Sequence, residues 1–529
     1  MKLDYLKVGK ATELAGRDRR VYRLLEMLPG VVSLATLLIL LIFSYFKPVW
    51  VAYFIILFDV YWLLLVIFMA ILLISSYRQL KKGLKTDWQE NCELLAKQEF
   101  EQIVEPVAKQ SLAKQGLVWT DLHQLIIFPT YNEDEGIIRG ALQSLLDDGY
   151  PRDKMIVVLA MEERAGAEAR DRAKVIEKEF ANVFGRFMIT WHPDGIAGEL
   201  KGKGSNQAWA IRQVKEQIID REQLNPQHIL VSVFDIDTVV SPGYFYALSF
   251  KFLSVADPYR ASYQPIPVYH NNLWRAPFFS RITASSNTFW QMIMQIRQES
   301  LVTYSSHSMT YQALEEIGFW STKMVSEDSR IFWHCLLHYQ GDYRVEPLYY
   351  KVSMDITYDQ NARQTAISLY KQQRRWAWGS ENIPYLIFNT AKRWQTIDRK
   401  KLLGHILIQI HGFWSWSTNA LIIAVIGWMP MLLGGDRFNT TVLSSNLPIV
   451  TRNLMSVAMV GLVLSAVVSS LLLPRRPQKY GFLKNLQLIF EWLFVPVTIV
   501  IFGAIPCLDA QIRLMRAKYM GFWVTPKSR

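Results

Sequence analysis

Long apolar runs stand at both ends of this chain of 529 residues, and its middle has none. Residues 30–46 and 49–77 can each cross a hydrocarbon core, which takes about 20 helical residues. Only Lys47 and Pro48 separate them, and a second span follows the first at once. This predicts a tight helical hairpin rather than a cleaved leader. Lys7, Lys10, Arg17, Arg19, Arg20 and Arg23 precede the hairpin, and Arg78, Lys81, Lys82 and Lys85 follow it. Basic residues gather on the cytoplasmic flanks of spans, so both ends are expected in the cytoplasm. Asp59, inside the second span, is expected to be protonated or paired with a helix, because an isolated charge there is costly; a role near a sugar or lipid path is the alternative.

A second cluster of runs follows residue 400. Residues 406–433 and 454–473 read as spans, joined by the polar loop DRFNTTVLSSNLPIVTRN facing outward. The basic stretch PRRPQKYGFLK then faces inward. Residues 486–508 have the length of a crossing, but Pro496 and Pro506 interrupt helical hydrogen bonding. One more crossing would also leave Arg513, Arg516, Lys518, Lys527 and Arg529 outside. A re-entrant or interfacial broken helix reconciles charge with hydropathy; a full span is the alternative.

With 51% hydrophobic and 20% charged residues, the chain is too apolar for an ordinary soluble enzyme or a mainly disordered protein. Three distant cysteines, Cys92, Cys335 and Cys507, support neither a disulfide framework nor a cysteine-rich zinc site. The net charge of +12 includes the membrane-flanking clusters, and no nucleic-acid motif accompanies it, so no nucleic-acid partner is expected.

Between the membrane regions, buried-strand patterns alternate with helical ones. LHQLIIFPTYNEDE is a strand running into a loop, followed by a helix over 137–146. KMIVVLAMEE repeats the pattern before a helix over 164–180, and FGRFMIT, NQAWAIRQVKEQII and HILVSVFDIDT continue it. Such alternation predicts an α/β domain with a largely parallel sheet and ligand loops beyond the strand carboxyl ends. The charged stretch 87–115 reads as largely helical, kinked at Pro106. The expected organisation is a hairpin with basic flanks (1–85), a helical connector (86–119), the α/β domain (120–380), an interfacial segment (381–405), a C-terminal membrane region (406–508) and a tail (509–529).

Asp235 and Asp237 follow the buried strand ILVSVF. In extended chain, residues i and i+2 point to one side, so both carboxylates would approach one hard divalent cation. In VSED, Asp328 is a candidate to accept a proton, with Glu327 beside it; a surface or helix-cap pair is the plainer alternative. Gln372 and Arg375 are helical neighbours at i,i+3, and Trp376 adds an apolar wall. A basic aromatic helix lying on the membrane is the structural alternative there.

Taken in order, these motifs resemble the family-2 glycosyltransferases. Within them they are most similar to the membrane-embedded branch of cellulose, chitin and hyaluronan synthases. FPTYNEDE resembles the first nucleotide-binding loop, KGKGSN the donor loop and FDID the metal-binding DxD element. VSED resembles the acidic catalytic motif, QQRRW the Q-x-x-R-W signature, and FWVTPK the F-x-V-T-x-K gating loop. The resemblance covers about residues 120–380, with flanking helices and a C-terminal loop in matching order.

It implies a GT-A-like, mostly parallel sheet domain between N-terminal and C-terminal transmembrane helices. It also implies roles for particular residues. Tyr131, Asn132, Glu133 and Glu162 would sit at the nucleotide end, where Glu162 departs from the family's usual aspartate. Lys203, Asp235, Gln372, Arg375, Thr525 and Lys527 would contact the donor, and Asp235 and Asp237 would bind Mg2+ or Mn2+. Asp328 would be the base with Glu327 as its acidic neighbour, and Trp376 and His307 would meet the acceptor. The implied reaction is inverting transfer from a nucleotide-diphosphate sugar to a membrane-associated polysaccharide acceptor, with polymer synthesis as the outcome. Glycosylation of a lipid or lipid-linked sugar is the alternative. Four crossings and the broken segment make a minimal conduit, to which a homo-oligomer or an export partner would add walls; membrane lipids are expected partners as well. The catalytic domain is expected to face the cytoplasm from a plasma or inner membrane. A transporter or lipid-binding protein with a regulatory nucleotide domain would explain the helices, but not the ordered acidic and basic motifs.

Overall fold

The computed structural model describes residues 4–103, 107, 111–474, 481 and 483–526. Eight strands form one sheet: β1 (His123–Pro129), β2 (Met155–Glu162), β3 (Arg186–His192), β4 (Ile229–Val233), β5 (Val239–Val240), β6 (Ala261–Tyr269), β7 (Ser308–Thr310) and β8 (Arg344–Met354), in the order 3-2-1-4-7-6-8-5. The pairs β3/β2, β2/β1, β1/β4 and β6/β8 are parallel, whereas β7 joins the two halves antiparallel to β4 and β6. β2 and β4 are buried along their whole length, as parallel strands covered on both faces must be, and so read as continuous apolar runs.

Helices Glu135–Asp147, Gly166–Phe180 and Lys203–Val214 return the chain between the parallel strands. In Gly166–Phe180 the buried residues Ala169, Ala173, Ile176 and Phe180 recur three to four apart and face the sheet, while charged residues cover the outside. This helix starts two residues later than the sequence predicts, because Gly166 has φ of +85°, a conformation no helix interior accepts. In the connector, Asp87 caps Trp88–Ala96 by accepting from Glu90 N at 3.0 Å, and Gln98 at φ of +61° ends that helix. Only 3-10 turns follow among the described residues, so the stretch is less helical than its charge pattern suggested. Pro106 lies outside the described residues.

Helices Gly16–Phe46, Pro48–Gly83, Val442–Leu471 and Leu486–Met515 are long and apolar enough to cross a membrane, as is Arg399–Ala424 with Ile426–Leu433 if that 42° bend belongs to one span. Helix Val442–Leu471 takes in much of the polar stretch expected as loop, since Thr441 caps it by accepting from Ser444 N at 3.1 Å. Asp59 has the helix partner its position demands: it accepts from Thr451 Oγ1 at 2.8 Å.

Helix Phe278–Ile296 of the sheet domain meets the membrane region through a buried ion pair. Arg281 Nε donates to Glu491 Oε2 at 2.8 Å, and the second guanidinium nitrogen completes a bidentate pairing. At the other end of the segment, Arg23 donates to the carbonyls of Leu514 and Met515. Both ends of the last apolar segment are therefore tied to elements beside the sheet domain. Breaking a buried pair from one side leaves an uncompensated charge, typically worth about 3–5 kcal/mol. We expect Glu491→Leu to lower the thermal midpoint of the detergent-solubilised protein sharply. Arg281→Met with Glu491→Leu should recover most of the loss; equal loss in single and double variants would show that the charge is not what matters.

Candidate active site

The loops after β1 and β2 form one end of the site. Tyr131 N donates to Glu133 Oε2 at 2.8 Å, and Asn132 accepts from Arg172. Glu162, buried at the end of β2, holds Arg164 through Oε2 at 2.5 Å and Oε1 at 3.1 Å, and that guanidinium lies 4.5 Å over the Tyr131 ring. Glu162 and Arg164 border a small open cleft with His192, Asp194 and Lys201. The sequence pointed to Glu162; Arg164 was missed, although a basic residue two positions from a candidate carboxylate was its signal.

The centre is built around Lys203, the first residue of helix Lys203–Val214. Its ammonium lies 2.8 Å from Asp235 Oδ1, 2.8 Å from Asp328 Oδ1 and 4.0 Å from Glu327 Oε1. Burial opposes the charge, but the three carboxylates outweigh it and hold the Lys203 pKa above its ordinary value. Gly204 permits the approach, since a Cβ there would lie 2.9 Å from Ser321 O and 3.3 Å from Glu327 Cβ. Glu327 and Asp328 open helix Glu327–His338, where the helix dipole favours negative charge. Burial first, and then Asp328 beside it, raise the Glu327 pKa above the carboxylate range.

The DxD geometry needs correction. β4 ends at Val233, and the chain turns at once, with Thr238 N donating to Asp235 O at 2.8 Å. The aspartates are therefore not successive same-side residues of an extended strand. Asp235 faces Lys203 and accepts from Ser305 Oγ at 2.7 Å, whereas Asp237 is buried and accepts from Asp355 N at 2.9 Å. The turn thus leaves Asp235 on Lys203, which also meets Asp328, and Asp237 on the backbone that follows β8. His307 is also buried. Burial lowers its pKa, its Nδ1 meets Tyr304 O at 2.8 Å, and its Nε2 has no partner.

Helix Ala362–Ala377 and the C-terminal tail form the remaining wall. Gln372 Oε1 accepts from Thr357 Oγ1 at 2.7 Å, which directs this side chain to its own domain. Trp376 packs on Tyr269 with centroids 6.1 Å apart, and the Arg375 guanidinium lies 4.8 Å over the Phe522 ring. Phe522 covers Gly202 of the lysine-glycine loop, and Thr525 is buried. Lys527 lies outside the described residues. The buried atoms Glu327 Oε2, Arg375 Nε, His307 Nε2 and Thr525 Oγ1 lack internal partners, a pattern that suits a polar ligand. Tyr269 was not found from sequence, because it comes from a chain segment far from the motif residue it touches.

A sheet ending in acidic loops, closed by an arginine-bearing helix, is a frame that many reactions share. The match of residues 230–503, more than half of the chain, to Glycosyl transferase family group 2 decides among them. The chain belongs to this family. It is thus a glycosyltransferase that draws on a nucleotide-sugar donor, with a mostly parallel sheet domain flanked by helices long and apolar enough to cross a membrane. No curated protein matches the sequence. Similar solved structures include the mannosyltransferase PcManGT from Pyrobaculum calidifontis in complex with GDP-Man and Mn2+, at 15% identity over 77% of this chain and 99% of that one, with a TM-score of 0.41. S. aureus TarS is 12% identical over 68% of this chain and 56% of its own, with a TM-score of 0.34. TarS 1-349 is 12% identical over 66% and 91%, also with a TM-score of 0.34.

Among the described residues no three His, Cys, Asp or Glu side chains form a ready-made metal cage. Asp235 and Asp237 nevertheless offer the hard oxygens that Mg2+ or Mn2+ takes. Mg2+ commonly uses one or two carboxylates, with substrate phosphates and water completing its shell. The residues fit such an ion.

Gly202 has φ of +147°, and a Cβ there would lie 2.5 Å from Phe522 Cγ. Gly202→Ala should displace the tail and raise the donor KM by about tenfold, with overpacking costing about 1–3 kcal/mol in thermal stability. A normal donor KM would show that Phe522 does not pack here during turnover.

Proposed function

We propose that the protein is an inverting, metal-dependent synthase of the cellulose, chitin and hyaluronan type, adding sugars from a nucleotide-diphosphate donor to a membrane-associated polysaccharide. The observation that carries this reading is Lys203 joining Asp235, on the metal side, to Asp328, on the acceptor side. One group positions both halves of the reaction. Tyr131, Asn132, Glu133 and Glu162 hold the nucleotide end, and Lys203, Arg375 and Thr525 face the diphosphate. Gln372 acts through Thr357 to orient the loop after β8. Mg2+ or Mn2+ held by Asp235 and Asp237 would, when bound, neutralise charge on the departing diphosphate.

Asp328 takes the proton from the acceptor hydroxyl as that oxygen attacks the anomeric carbon, and the bond to the diphosphate breaks from the opposite side. Lys203 keeps the Asp328 carboxylate in place for this transfer. Glu327, buried behind it with a raised pKa, supplies shape and polarity rather than a second negative charge. Trp376 and Tyr269 offer an apolar floor for the acceptor sugar. The unpartnered Nε2 of His307 accepts from an acceptor hydroxyl.

The purified protein, given a panel of nucleotide sugars, Mg2+ or Mn2+ and native membrane lipids, should yield a ladder of repeating masses. A single sugar added to a lipid would replace polymer synthesis with the nonprocessive reading. Asp328→Asn should bind donor normally and lose roughly 10²–10⁴-fold in transfer, the usual contribution of a positioned base. A comparable rate from folded Asp328→Asn would remove Asp328 from that role. Asp237→Asn should raise the metal concentration needed for half-maximal turnover, read by titrating Mn2+ at saturating donor.

A further inference from the structure

A buried carboxylate at the foot of the first membrane helix has no part in the chemistry above. Glu26 is almost fully buried, and two other segments of the chain converge on it, with Arg23 of its own helix beside them. Ala11 N donates to its Oε1 at 2.9 Å, Arg23 Nη1 to its Oε2 at 2.6 Å, and Tyr519 OH to the same Oε2 at 2.8 Å. Ala11 belongs to the N-terminal segment, which lies on the sheet domain: Tyr385 OH donates to Leu6 O at 3.0 Å, and Arg330 Nη1 to Val8 O at 3.3 Å. Tyr519 begins the tail that carries Phe522 to Gly202 and Thr525 into the protein.

We propose that Glu26 is a positioning residue for sugar transfer, fastening the C-terminal tail across the donor loop. Three features make this more than a packing contact. Arg23, paired with Glu26, also takes the terminal carbonyls of helix Ile505–Met515 at Leu514 and Met515, so one cluster fixes both the end of that helix and the first aromatic beyond it. Gly30, one turn along the membrane helix, lets that helix approach closely, since a Cβ there would lie 2.9 Å from Gln511 O. Between Tyr519 and Thr525 the tail has no helix or strand of its own to set its path, so its direction is set by side-chain fastenings. Lys10 lies 5.6 Å over the Tyr519 ring and completes the fastening from the N-terminal side. Tail, membrane helix and N-terminal segment are thus joined at one carboxylate, outside the site it serves.

The assignment rests on the reading that the tail covers the donor, and the test separates the two. Tyr519→Phe removes one hydroxyl and keeps the ring, while Glu26→Gln keeps the shape and removes the charge. Tail position is read by labelling Thr525→Cys with a maleimide, which works because Cys92, Cys335 and Cys507 are all buried. Kinetics are measured in chains that keep Thr525. Tyr519→Phe should speed labelling and raise the donor KM by about tenfold, the size of one lost hydrogen bond to a charged group, with kcat changed far less. Glu26→Gln should do the same or more. Unchanged labelling in both variants would overturn the fastening itself. Faster labelling with an unchanged donor KM would overturn the tail's role at the donor, and with it the assignment of Glu26 to transfer.

Discussion

The ammonium of Lys203 is the constraint on which the rest of the site depends. Three carboxylates in a partly buried space repel one another strongly, and a cation among them offsets that repulsion. Lys203 sits 2.8 Å from two of them and 4.0 Å from the third. It enters from the start of helix Lys203–Val214, directly after the loop whose glycines let backbone and Phe522 approach. The sheet order brings β4, with Asp235 beyond it, near the start of helix Glu327–His338, with Asp328 in its first turn. A lysine, an aspartate after a strand and an aspartate opening a helix thus become one ion-paired unit.

Around that unit, the membrane region holds the elements that close the site. The Arg281–Glu491 pair fixes the last apolar segment to helix Phe278–Ile296, and Arg23 fixes its far end. The tail then has one course left, across Gly202 and beneath Arg375. The membrane region and the lysine-glycine loop are therefore joined through a few named contacts.

Much of this was legible in the sequence. The spans, the alternating strands and helices, and the ordered acidic and basic motifs follow from local patterns of period and polarity. Helix Ala362–Ala377 places Gln372 and Arg375 as their spacing requires. What escaped was set by distant contacts. The turn after Val233 depends on hydrogen bonds that one strand's pattern does not carry, so the extended DxD geometry was wrong. Tyr269 and Glu26 owe their places to partners on other elements, Trp376 and Tyr519, whereas Arg164 had a local signal in Glu162 two positions away. The helix beginning at Val442 is longer than hydropathy suggested, because capping rather than apolarity sets its start.

The most direct test of the account is the anomeric configuration of the sugar newly joined to the acceptor, read by NMR against that of the donor. Attack by an acceptor oxygen activated by Asp328, opposite the departing diphosphate, predicts inversion in a single displacement. Retained configuration would contradict it, since it would require a second displacement or attack from the leaving-group side, and the Lys203-centred arrangement would then serve a different reaction course.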